Sequence, residues 1–161
     1  MNKKIQYDLA PPDAVAAERL EFLCWDEERM ATGVAALDRG SQELIRKLNE
    51  LYYAHRAGLK VSDIYQMLKF IAAHIKTHFK HEEKVMEERQ CPVRWENRRA
   101  HAEFLGRFQD LVVNFTLEMD TDQAATHIEN TLARWLSTHI CRVDVALRDC
   151  PPLPAPPPKT D

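Results

Sequence analysis

The sequence predicts an all-α fold: an up-down-up-down four-helix bundle with an N-terminal arm and a proline-rich C-terminal tail. Three observations predict it. Four long segments repeat their apolar residues at helical spacing, and none shows the sustained alternation of a half-buried strand. The connections between them are short, which makes successive helices antiparallel neighbours. The length, 161 residues, suits one domain with a single core. The expected organisation is an extension over 1–21, the bundle over 22–148 and the tail over 149–161.

The arm, to about residue 33, contains Pro11-Pro12 and then an irregular apolar stretch with Trp25 that should pack across the bundle. The first long helix runs from about Val34 to His55, with Leu37, Leu44, Leu48 and Leu51 on one stripe. Gly58 marks its end, and Ser62-Asp63 caps the second helix. That helix carries Ile64, Leu68, Ile71, Ile75 and Met86 and ends near Arg89, where Gln90-Cys91-Pro92 breaks it. The third runs from about Trp95 to Met119 through Phe104, Phe108, Leu111 and Phe115. Asp120, with Gln123 three residues on, starts the fourth, which continues through Ile128, Leu132, Trp135 and Val143. The tail, CPPLPAPPPKTD, cannot continue a helix and reads as a flexible extended segment.

Composition excludes several functions. The formal net charge is −3, with both signs well represented. That balance provides no electrostatic footprint for nucleic acid or for an anionic membrane surface. No window has the apolar length of a membrane-spanning helix. The N-terminus, MNKKIQYDLAPPDAV, has no apolar run after its lysines and does not read as a secretory signal. A cytoplasmic location is expected, with Cys24, Cys91, Cys141 and Cys150 as reduced thiols. No CxxC occurs among them, which argues against a zinc or redox motif.

Polar residues interrupt the stripes where a core should be. Ser41 interrupts the first stripe, His78 and Glu82 the second, Asn97 and His101 the third, and His139 the fourth. Depth matters as much as direction. Ser41 and His78 each lie about 16 residues from the first turn, roughly 25 Å at the helical rise. His101 and His139 lie about 19 and about 18 residues from the Asp120 turn, a matched depth. Buried carboxylate and imidazole groups are costly without partners. Metal ions in that layer would satisfy them, and bundle interiors accommodate such sites. His81 and Glu83 fall off the stripe and should face solvent. His74, one turn before His78, is either an edge-of-core residue or an additional imidazole. His55 and His127 lie near helix ends and suggest no chemistry.

With these residues on the page, the chain resembles the hemerythrin family, specifically its bacterial hemerythrin-like members. The matching text is Trp25, Gly33-Val34 and Leu37-Asp38, then HFKHEEKVM, HAEF and HICRVD, covering roughly 22–147. The resemblance implies a pair of non-haem irons held by five histidines and two bridging carboxylates, with oxygen bound reversibly. It makes His78 an imidazole on one iron, His101 and His139 imidazoles on the other, and Glu82 and Asp144 the bridges. His139 and Asp144 are five residues apart, about 140° around a regular helix, so a local wide turn is expected between them.

Two ligands that the resemblance implies are substituted: Ser41 and Asn97 stand where the family has histidines. Hydroxyl and amide oxygens are poor replacements for nitrogen on iron. Two functional readings follow. In the first, a depleted iron site binds dioxygen or another small diatomic ligand for sensing, storage or transport. The site is then a di-iron pair, a single metal or empty, with His74 available as a rescue ligand. In the second, the bundle is metal-free and acts as a regulatory or interaction module through a protein partner. An oxidase-type enzyme is not expected, because no Glu-x-x-His pairs occur at the core positions.

Overall fold

Amphipathic segments of this length fold as long helices, and the punctuation residues decide where they stop. The computed structural model describes residues 22–117 and 121–152. Its elements are the single-turn helix α1 (Glu27–Met30), four long helices, and a 3-10 helix (Asp144–Asp149). The long helices are α2 (Ala35–Arg56), α3 (Val61–Glu88), α4 (Arg94–Leu117) and α5 (Thr121–Arg142). Both α2 and α4 pack against α3 and α5. That is the closed up-down-up-down arrangement expected from the short turns. The extension 1–21, the tail from 153 onward, and Met119 and Asp120 lie outside the described residues.

Two turns end helices in the same way. Gly58 has φ +75°, with its N–H donating to His55 O at 3.0 Å and the Leu59 N–H to Ala54 O at 3.1 Å. These paired bonds satisfy the last carbonyls of α2 in a Schellman motif. At the end of α3, Gln90 holds the left-handed position with φ +52°. The Gln90 N–H donates to Glu87 O at 3.0 Å and the Cys91 N–H to Met86 O at 2.9 Å. The start of α3 differs from expectation. Its cap is Lys60, not Ser62-Asp63, so Asp63 lies in the first turn, where its negative charge is favoured by the positive end of the helix dipole.

The arm is more ordered than its composition suggested. Asp26 caps α1 by accepting the Arg29 N–H at 3.1 Å, and Phe22, Leu23 and Trp25 pack on the main core. Asn49 clamps Leu23 through both backbone groups, at 3.0 and 2.8 Å. Phe22 stacks on Tyr52 with centroids 4.1 Å apart. At one end of the bundle the buried Glu129 of α5 accepts Arg56 Nη1 at 2.7 Å and lies 2.9 Å from His55 Nδ1. His55 Nε2 is also 2.8 Å from Asp122, so this histidine ties α2 to α5 rather than being idle.

The interior has two apolar clusters. The larger runs through Leu44, Leu48, Ile71, Ile75, Phe104, Phe108 and Leu132. The smaller is built from Leu37, Val85, Met86, Cys91, Leu147 and Cys150. Within it Cys91 and Cys150 form a disulfide, with Cα atoms 5.2 Å apart and a sequence separation of 59. This corrects the expectation of four reduced thiols. The end of α3 and the end of the 3-10 helix meet in one apolar cluster, a proximity that cysteine spacing does not encode. Cys141 is half-buried against the main core, as expected for a small packing residue. No helix among the described residues is long and apolar enough to cross a membrane.

Candidate metal centre

The two apolar clusters leave a buried polar layer between them. Ser41, His78, Glu82, Asn97, His101, His139 and Asp144 are all buried. One ligand atom from each of Glu82, His101, His139 and Asp144 lies within 4.8 Å of the other three. The four come from α3, α4, α5 and the first residue of the 3-10 helix, respectively.

Asp144 enters the layer where α5 ends and a 3-10 segment begins, not through a wide turn within the helix. The α-helix stops at Arg142, the Val143 N–H still donates to His139 O at 2.8 Å, and the backbone then continues as 3-10 from Asp144. Asp144 Oδ1 lies 3.1 Å from His139 Nε2.

Each imidazole has a defined seat. Phe79 stacks on His101 with centroids 3.6 Å apart, and Trp135 stacks on His139 at 4.3 Å. His101 Nδ1 lies 2.9 Å from Glu83 Oε1. An ionised carboxylate only accepts, so the His101 proton sits on Nδ1 and Nε2 turns a lone pair toward the centre. Glu83 therefore departs from the expectation that it faces solvent. It is half-buried at the α3–α4 seam, with Arg98 Nε 3.5 Å away. Its role has no signature in the apolar stripe, because it sits at the stripe's edge.

The centre has more acceptors than protons. His139 Nε2 is 2.8 Å from Asn97 Oδ1, 3.0 Å from His101 Nε2 and 3.1 Å from Asp144 Oδ1. One ring nitrogen carries at most one proton and cannot serve all three. No hydrogen bond reaches the buried Asp144 Oδ1. Burial holds His78 down to about 4 and His101 down to about 3, so both rings are neutral at pH 7. Burial and then the Asp144 charge push the Glu82 carboxyl well up. Burial also opposes ionisation of Asp144, but the neighbouring His139, Glu82 and His101 together outweigh it and hold the carboxyl low. Two imidazoles and two carboxyl groups, one of them carrying the orphaned Asp144 oxygen, fit a divalent transition metal such as iron.

The remaining polar residues are placed differently. His78 Nε2 is 3.2 Å from Ser41 Oγ and 3.6 Å from Glu82 Oε2. Its ring lies flush on Gly40, where an added methyl group would overlap it. Asn97 donates from Nδ2 to Glu82 Oε1 at 2.7 Å, and so links that carboxyl to His139. His74 Nε2 lies 3.3 Å from Gly40 O, which places it at the α2–α3 seam outside the cluster.

Comparison with known proteins agrees with this geometry. The family model for the hemerythrin HHE cation binding domain matches residues 32–147. A bacteriohemerythrin from Stenotrophomonas maltophilia (strain R551-3) is 25% identical over 130 residues, 81% of this chain and 82% of that protein. One from Pseudomonas aeruginosa (strain UCBPP-PA14) is 24% identical over the same length and coverage. Among solved structures, wild-type hemerythrin superposes with a TM-score of 0.68 at 23% identity, covering 80% of this chain and 97% of that one. A hemerythrin with a leucine-to-tyrosine substitution gives 0.69 at 22% identity, covering 81% and 98%.

Proposed function

The chain belongs to the hemerythrin family, and from that premise we propose that it is a non-catalytic iron-binding protein. Its ligand is dioxygen or another small diatomic molecule, taken up for sensing, storage or transport. The observation that carries the reading is the convergence of Glu82, His101, His139 and Asp144 around an Asp144 oxygen that no hydrogen bond reaches. His101 and His139 would hold the metal through nitrogen, and Glu82 and Asp144 through oxygen. Bound iron would supply the coordination position that a diatomic ligand needs. Phe79 and Trp135 seat the rings and keep that side of the layer apolar.

By resemblance, Ser41 and Asn97 occupy positions that hold histidine elsewhere in the family. Here each side chain is engaged by a neighbour, Ser41 by His78 and Asn97 by Glu82 and His139. Those internal bonds favour a second reading, a metal-free bundle working through a protein partner. The two readings part on one experiment. Protein loaded anaerobically with ferrous iron and stripped of excess is assayed for iron per chain. Its visible spectrum is then followed as oxygen or nitric oxide is admitted and withdrawn. The first reading expects retained iron and a band that comes and goes with the gas. No retained iron supports the second.

A further inference from the structure

The donors divide the polar layer into two unequal halves. On the α4–α5 side, His139 Nε2 lies 3.0 Å from His101 Nε2 and 3.1 Å from Asp144 Oδ1, and His101 Nε2 lies 3.6 Å from Glu82 Oε1. Four ligands placed about 2.0–2.2 Å from one ion in tetrahedral array stand roughly 3.3–3.6 Å from one another. The three observed edges are close to that spacing, and all four ligand atoms lie within 4.8 Å of one another. Asp144 faces this half, Glu82 stands between it and His78, and the His101 tautomer is already fixed by Glu83.

On the α2–α3 side, a second ion would find one imidazole, one hydroxyl and only the Glu82 Oε2 that it would have to share with the first. Even that imidazole is engaged, since its Nε2 is within hydrogen-bond distance of Ser41 Oγ. Gly40 lets the ring settle onto α2, and Ser41 holds it there. His78 Nε2 is also farther from the nearest carboxyl oxygen, at 3.6 Å, than His139 Nε2 is from Asp144. A neutral serine hydroxyl contributes little to a first-row ion that selects imidazole and carboxylate.

We infer that the chain binds one divalent first-row ion, not a pair, with Glu82, His101, His139 and Asp144 as its ligands. His78 is then a packing residue hydrogen-bonded to Ser41, and α2 contributes no ligand. The inference rests on the metal-binding reading above and specifies its stoichiometry. A centre with two imidazoles and two carboxylates suits ferrous iron, manganese or zinc, so selection among them falls to supply rather than to geometry.

The test is metal stoichiometry and affinity on the full chain, using ferrous iron, manganese and zinc separately under anaerobic conditions, with folding checked by circular dichroism. One ion per chain is expected at saturation. His78→Gln, which keeps a hydrogen-bonding partner for Ser41, should retain that ion with affinity within about threefold of the parent. His139→Gln and Asp144→Asn should each weaken binding by about 100-fold or more. Two ions per chain, or loss of the ion in H78Q, would overturn the inference while leaving the metal reading intact. No ion from any of the three metals would remove both.

Discussion

A histidine is a good ligand only when its other nitrogen has a partner that fixes the proton, and at His101 that partner is Glu83. The carboxylate 2.9 Å from Nδ1 sets the tautomer and makes Nε2 more basic. Glu83→Ala should therefore weaken metal affinity by about 10-fold to 100-fold while leaving the helix intact. Competition with a chelator of known affinity measures the change, and an unaltered affinity would mean that His101 needs no orienting partner. Ser41 poses the converse case. Ser41→His places nitrogen beside His78 and should raise the metal count from one toward two per chain. A count fixed at one would show that the second half lacks more than a donor. The inward direction of His78, Glu82, His101 and His139 was legible from stripe interruptions alone, since periodicity encodes which way a side chain points. Glu83 was not, because a residue at the edge of a helix–helix seam has no periodic signature.

Helix boundaries decide which of these groups meet. The sequence identified all four long helices, because apolar periodicity and turn residues act locally. It did not reveal how Asp144 reaches the centre, since the 3-10 segment after Arg142 packs through Leu147 with Leu37 and Met86, distant in sequence. It also missed the Cys91–Cys150 bond, which joins the turn after α3 to the end of the Asp144 segment. The same segment is held at its other flank by Arg148, which donates to the Ala31 and Glu27 carbonyls of the arm. Closing a loop of 59 residues restricts the unfolded chain, so Cys150→Ser should cost about 4 kcal/mol of stability in the chain-entropy account. Urea denaturation of the variant beside the oxidised parent measures it. Indistinguishable curves would mean that the bond contributes nothing to the folded state. Gln90 offers a gain instead. It holds a left-handed backbone that glycine adopts freely, so Gln90→Gly should add up to about 1 kcal/mol despite losing its side-chain bond to Glu87 O. A lower midpoint would show that the side-chain bond matters more than the backbone strain.

Across the whole molecule, acidification sets two imidazoles against one carboxyl. In the unfolded chain His78 and His101 take up protons near about 6.5, whereas burial holds them to about 4 and about 3 in the fold. Between those limits the unfolded state binds more protons. The stability carried by the neutral rings is therefore complete above about pH 6.5 and is lost as pH falls toward the folded values. Glu82 acts in the opposite sense. Burial and the Asp144 charge raise it, so the fold keeps a proton that an unfolded glutamate releases down to about pH 4.3. Asp144, held low, contributes nothing until the solution is more acidic still. Two protons against one, reduced further by Glu83, which burial also raises, leave a net uptake of at most one proton on unfolding. Metal-free protein should then lose up to about 1.4 kcal/mol per pH unit between about pH 6 and about pH 4.5. Urea midpoints at several pH values in a chelating buffer report the slope. His78→Gln, which leaves one imidazole against one carboxyl, should flatten it. A parent profile that stays level to pH 5 would mean that the buried rings take up protons without opening the fold.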